Sequence, residues 1–181
     1  MFSNWKRFKG WLVLEFFLEN GTRIHVNGLA KKLKISPGTA QTYLTEYERQ
    51  GMLEREKTAN TMGYRLRESP LSLELRKALF ISKIGNFAAE FLKENPHTAK
   101  LALYGSHAKG TYDMKSDIDL IAISQDKKPG LKALQRLEEK TGKEAAIQVF
   151  TLAEWKRLLE KNDHFAFAVI GNSIMLAGEP L

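Results

Sequence analysis

The sequence contains no cysteine. That excludes a disulfide scaffold, thiolate-bound zinc, iron–sulfur clusters and a cysteine nucleophile, and it fits a reducing, cytoplasmic setting. Long apolar runs are missing too. The longest, Trp11–Leu18 and Phe165–Ile170, fall well short of the roughly 20 residues that span a bilayer, so no membrane partner is expected. Lys6, Arg7 and Lys9 precede an apolar run, but Glu15 interrupts it and no small-residue cleavage site follows. A signal peptide is therefore not expected. There is no internal repeat and no low-complexity segment. With 43% hydrophobic and 27% charged residues, the 181-residue chain has a globular balance and room for one to two domains.

Acidic residues are in the minority, 21 against 28 basic, for a net charge of +7. The imbalance is local. Residues 1–67 hold 12 of the basic residues but only 6 of the acidic ones. A basic module joined to a near-neutral one is the reading, and the basic part suits an anionic partner.

The first half reads as three helices and a hairpin. Asn4 is placed to cap a helix to about Glu19, with Trp5, Phe8, Leu12 and Phe16 inward. Asn20-Gly21 stops it, and a short strand, Thr22–Val26, follows. Asn27 is expected to cap a second helix to about Lys34. Ser36-Pro37, a capping residue and then proline at the first helical position, opens a third, which Gly51 ends. Met52–Lys57 and Gly63–Arg67 then alternate as a hairpin with a turn around Ala59-Asn60-Thr61. This order, with Ile35–Ala40 leading to Leu44 and Gly51-Met52-Leu53, resembles a winged helix-turn-helix over about 65 residues.

Glu68-Ser69-Pro70 marks a boundary. A single amphipathic helix is expected over Ser72–Glu94, ended by Asn95-Pro96. The reading is thus a module over 1–68, a connecting helix within 69–96, and a second domain over 97–181. The last region alternates: strands at Ala99–Tyr104, Asp117–Ser124 and Ala145–Phe150, helices at Leu131–Thr141 and Thr151–Lys161. Thr151 and Glu154 form a capping box. The fold class is α+β, with a small mixed sheet in the second domain.

The chemistry concentrates in Leu103-Tyr104-Gly105-Ser106-His107-Ala108-Lys109-Gly110 and Ser116-Asp117-Ile118-Asp119-Leu120. Gly105 follows a strand and lets an oxygen-rich ligand approach the backbone. Ser106 offers a hydroxyl and an N–H at a helix start. Asp117 and Asp119 are two apart on a strand, so both carboxylates share one face. They repel unless a cation lies between them, and a hard ion with a nucleotide's phosphates answers that need. Asp119 also sits among Ile118, Leu120, Ile121 and Ile123, where an unneutralised carboxylate is costly.

Gly-Ser, a small and a basic residue, Gly, and then Ser-Asp-Ile-Asp-Leu resemble the signature of the DNA polymerase beta-like nucleotidyltransferases, in particular the minimal prokaryotic branch. The resemblance covers roughly residues 75–181. It implies transfer of a nucleoside monophosphate from ATP or another NTP to an acceptor hydroxyl, with Mg²⁺ or Mn²⁺. It implies that Gly105, Ser106, Lys109 and Ser116 contact the nucleotide, and that Asp117 and Asp119 are catalytic and hold the metal. One departure stands out. The family places a third carboxylate on the neighbouring strand, where this chain has Gln148, which cannot act as a base; Glu144 shares its face about 13 Å away. Nucleotide binding is therefore better supported than catalysis.

For the basic half the resemblance implies DNA. Ser36, Thr39, Gln41 and Thr42 lie off the Ala40–Leu44–Tyr47 stripe, with Gln41 the candidate for a base edge. Lys31, Lys32, Lys34, Arg55 and Lys57 would meet phosphates, and a palindromic site would suit a homodimer. His25, His97 and His164 read as isolated, and His107 as a variable loop position. Two further readings follow: a DNA-binding regulator whose degenerate domain senses nucleotide, and an antitoxin-like partner of a helical toxin.

Overall fold

A computed structural model of the chain describes residues 8–58 and 61–181 and divides into two units, residues 1–79 and 80–181. The Asn4, Trp5 and Asn60 readings lie outside the described residues.

In the first unit, α1 spans Lys9–Asn20 and ends on Gly21. The expected strand at 22–26 reduces to one bridge, Ile24 to Tyr64, because Val26 already begins α2 (Val26–Leu33). The cap of α2 is His25, not Asn27: the Gly28 N–H donates to His25 Nδ1 at 2.7 Å. Ser36 and Pro37 open α3 (Pro37–Arg49) as their chemistry demands, the Ser36 hydroxyl accepting from the Thr39 N–H. The strands β1 (Leu53–Thr58) and β2 (Thr61–Leu66) pair antiparallel. Val13, Phe17, Leu18, Leu29, Ala40 and Leu44 are fully buried in a core that also includes Leu53, Tyr64 and Leu66.

The single helix expected over 72–94 is two helices, α4 (Pro70–Ile84) and α5 (Phe87–Glu94). Gly85 breaks it by turning left-handed, at φ +59°, a conformation glycine adopts without the steric cost a side chain incurs. The division between units falls inside α4, between Leu79 and Phe80.

The second unit is a four-stranded sheet in the order β5-β4-β3-β6. β3 (Thr98–Tyr104) runs antiparallel to β4 (Ile118–Ser124) and to β6 (Ile174–Ala177), and β5 (Ala145–Phe150) runs parallel to β4. The crossover from β4 to β5 carries α7 (Lys132–Thr141), as a parallel pair requires. Between β3 and β4 lies the five-residue α6 (Gly105–Lys109). The capping box of α8 (Leu152–Glu160) forms as expected, and α9 (His164–Gly171) leads into β6. One sheet face, with Leu101, Leu103, Leu120 and Ala122, packs with Phe87, Phe91, Leu134 and Leu137. The other, with Ala102, Ile121 and Ile123, packs with Trp155, Ala166 and Val169. Among the described residues no helix is long and apolar enough to cross a membrane.

Candidate active site

The site forms where β3 gives way to α6. Tyr104 ends the strand directly opposite Asp119 of β4. The chain then turns left-handed at Gly105, φ +72°, and passes so close to Asp119 that a Cβ at 105 would collide with its carboxylate. Glycine is required here by dihedral and by space. Ser106 is half-buried and Lys109 exposed. His107 is no loop residue: it is fully buried, stacked on Tyr112 with ring centroids 4.5 Å apart and against Phe80 at 4.2 Å. It ties the short helix into the core.

Alternation puts Asp119 on the sheet face of Ala102, Tyr104, Ile121 and Ile123. The parallel register sets Ala146 beside Asp119 and Gln148 beside Ile121. Gln148 Nε2 donates to the Tyr104 hydroxyl at 3.0 Å. Burial, and then the charge of Asp117, raise the Asp119 carboxyl above its ordinary pKa. Burial and then Asp119 raise the Tyr104 phenol, against a smaller lowering by the Gln148 bond. Two carboxylates thus face each other's charge, one half-buried and one exposed.

Asp117 lies just ahead of β4, after a tight turn. Asp113 Oδ1 accepts from the Lys115 N–H and the Ser116 hydroxyl, each at 2.9 Å, and the Ser116 hydroxyl oxygen accepts from the Asp113 N–H. The Ser116 hydroxyl therefore serves the turn. The Lys143 ammonium donates to three carbonyls of the same turn. Beside Asp117 opens a cleft of about 570 Å³, lined also by Glu138, Gly142, Lys143, Glu144, Ala145 and Ala146. Among the described residues no three His, Asp or Glu side chains are gathered to hold a metal. Tyr104 and Lys143 are the site residues the sequence reading missed. The strand pairing explains Tyr104; no sequence signal marks Lys143.

In the first unit Lys32, Ser36, Gln41, Thr42 and Lys57 are exposed and Thr39 is half-exposed. Several are engaged locally. The Ser36 and Thr39 hydroxyls are 2.8 Å apart, and Thr42 donates to the Gly38 carbonyl at 3.0 Å. Gln41 Nε2 donates to Thr45 Oγ1 and to the Tyr64 hydroxyl, which also accepts from Arg55 Nε at 3.1 Å. The hairpin arginines are paired: Arg55 with Glu48 at 2.9 Å, Arg65 with Glu54 at 2.7 Å. The Lys32 ammonium lies 5.0 Å from the Phe16 ring centroid.

No curated protein matches the chain. Two solved structures are similar to it over 52% of its length and 73% of theirs. One is a toxin–antitoxin with AMP-PNP, 20% identical with a TM-score of 0.39. The other is a mutant of the toxin–antitoxin MntA-HpeT, 18% identical with a TM-score of 0.39. The Nucleotidyltransferase domain family model matches residues 85–167. That stretch carries β3, α6, β4, α7 and β5, so Gly105, Ser106, Asp117, Asp119 and Gln148 all lie within the residues that the family model matches.

Proposed function

We propose that the second unit binds a nucleoside triphosphate together with a divalent cation and transfers the nucleoside monophosphate to an acceptor hydroxyl, and that the first unit is a winged helix that binds DNA. The observation that carries the first part is the packing of Gly105 against Asp119 with Asp117 beside it. The Asp117 charge acts on Asp119, and together the two hard oxygen donors would floor a site edged by the start of α6. The donor set fits Mg²⁺ or Mn²⁺, ions that are held by one or two carboxylates and complete their shell with water and substrate phosphates. Asp117 and Asp119 would hold the ion, which when bound would neutralise charge on the triphosphate.

The chain's own groups divide the remaining work. Gly105 lets the phosphates approach the backbone, the Ser106 hydroxyl and N–H donate to them, and Lys109 supplies positive charge. The acceptor oxygen attacks the α-phosphorus, the bond to the bridging oxygen breaks, and pyrophosphate leaves. Gln148 cannot take the acceptor's proton, so the proton passes to the aspartate pair or to water. Gln148 favours a second reading, in which the domain holds nucleotide and turns it over slowly while the first unit acts on DNA.

Calorimetric titration of each of the four NTPs, with Mg²⁺ and with chelator, tests the site. Binding that Mg²⁺ tightens through the two carboxylates is expected, with the tightening lost in Asp117→Asn/Asp119→Asn. Binding that gains nothing from Mg²⁺, or none by any of the four, contradicts the proposal. Gln148→Asp separates the two readings: faster pyrophosphate release than wild type points to a site slowed by its amide, and no change points away from that.

A further inference from the structure

The residues that hold Asp117 in place are not in its own strand. β4 begins at Ile118, so ladder pairing does not fix the backbone of Asp117 or of the turn before it. Two contacts from the chain ahead of β5 do. The Glu144 carbonyl accepts the Ile118 N–H at 2.8 Å. The Lys143 ammonium donates to the carbonyls of Asp113 at 2.8 Å, Ser116 at 3.0 Å and Met114 at 3.2 Å. An ammonium has three N–H donors, and here all three go to backbone oxygens of one turn.

We propose that Lys143 is the positioning residue for Asp117: it clamps the 113–116 turn and so sets the carboxylate where it can share a cation with Asp119. The inference rests on the nucleotide site proposed above. Lysine suits the task because a compact ammonium with three rotatable donors can meet three carbonyls at once. Lys143 is itself well anchored, between Gly142, whose N–H closes α7 on the Glu138 carbonyl at 2.7 Å, and β5 in parallel register with β4. Its donors are spent on the turn, so it does not bind phosphate; its effect reaches the nucleotide only through Asp117. The turn is braced independently by Asp113 through Lys115 and Ser116. Asp113 within the turn and Lys143 in the loop ahead of β5 therefore hold one turn.

The test compares ATP affinity with Mg²⁺ and with chelator in wild type, Lys143→Met, Lys143→Arg and Asp113→Ala, with circular dichroism to check folding. Removing a partner that orients a metal-binding carboxylate typically weakens metal affinity about 10–100-fold. Lys143→Met should lose about tenfold or more of the Mg²⁺-dependent tightening, while its affinity in chelator stays within about twofold. Lys143→Arg should recover only part of the loss, because it keeps the charge but its planar fork does not meet all three carbonyls. Asp113→Ala should reproduce it, and the double variant should fall short of the sum of the singles, because both act on one turn. If Lys143→Met does not fold, Asp113→Ala and Lys143→Arg decide. Wild-type Mg²⁺ dependence in Lys143→Met overturns the inference and leaves the site standing. Equal losses with and without Mg²⁺ overturn it too, since Lys143 would then touch the nucleotide. A wild-type protein that gains no affinity from Mg²⁺ with any of the four NTPs overturns the site and the inference together.

Discussion

Gly105→Ala perturbs the site by a single methyl group. Two costs add. The first is conformational: an L-residue held in the left-handed region, as at φ +72°, loses about 1–2 kcal/mol relative to glycine. The second is steric: the new Cβ meets the Asp119 carboxylate, which must turn off its rotamer at about 1 kcal/mol. The total is about 2–3 kcal/mol. For a unit the size of residues 80–181, this lowers the unfolding midpoint by about 10 °C or more. A control separates the terms. Gly21 is also left-handed, at φ +56°, but nothing lies within 4 Å of a Cβ built there. Gly21→Ala should show only the conformational cost in its own unit and leave nucleotide binding untouched. Gly105→Ala should weaken Mg²⁺-dependent ATP binding at least ~10-fold, because a carboxylate moved by about an ångström no longer meets its ligand. Denaturant titration and calorimetry read both quantities. If Gly105→Ala binds like wild type and costs no more than Gly21→Ala, close packing of Gly105 on Asp119 does not shape the site.

Asp119 carries a stability cost of its own. Its pKa is raised in the fold by burial and by Asp117, so ionising it opposes folding. The penalty is absent at pH below the ordinary carboxylate range and appears as pH rises through the folded pKa. Asp119→Asn should therefore raise the metal-free unfolding midpoint at pH 7 while abolishing Mg²⁺-dependent binding; a lower midpoint at pH 7 would contradict this. If the first unit binds duplex DNA through phosphates, Lys32→Ala and Lys57→Ala should each reduce the slope of log affinity against log salt by about one, as read by fluorescence anisotropy. Unchanged slopes would remove these lysines from the interface. Lys127 and Thr151 hold the Glu154 carboxyl down to about 2, so the α8 capping box should persist above the ordinary carboxylate range and fail only as pH falls through about 2. Thr151→Ala should cost about 1 kcal/mol, measured by urea unfolding.

The local geometry from Gly105 to Asp119 was legible because it is set by neighbours: a glycine after a strand, a hydroxyl in the short helix that follows, and an acid on the next strand; Asp117, expected on that strand, lies one residue ahead of it. Ser36-Pro37 and Thr151 with Glu154 were legible for the same reason, since a cap is specified within four residues. Gly85 was not. The apolar period runs on through Ile84, Phe87 and Phe91, which all enter one core, so periodicity alone sees one helix. His25 and His107 were misjudged because a histidine's role depends on what surrounds it: one caps a helix through Nδ1, the other fills a core between rings. Lys143 serves a turn some thirty residues earlier in the chain, and only the pairing of β4 with β5 brings them together. Gln148 was singled out from the sequence, but its bond to Tyr104 needed the register.

The central claim is that Asp117 and Asp119 hold a cation against a nucleotide beside Gly105 and Ser106. The most direct measurement is paramagnetic broadening of amide resonances by Mn²⁺ in the presence of ATP. The account predicts loss of signal at Gly105, Ser106 and residues 117–119. Signal should persist at Thr98 and Ser124, paired at the other end of β3 and β4, about 17 Å along the strand. Asp117→Asn/Asp119→Asn should restore the lost resonances. Broadening centred elsewhere, or unchanged by that variant, would contradict the account.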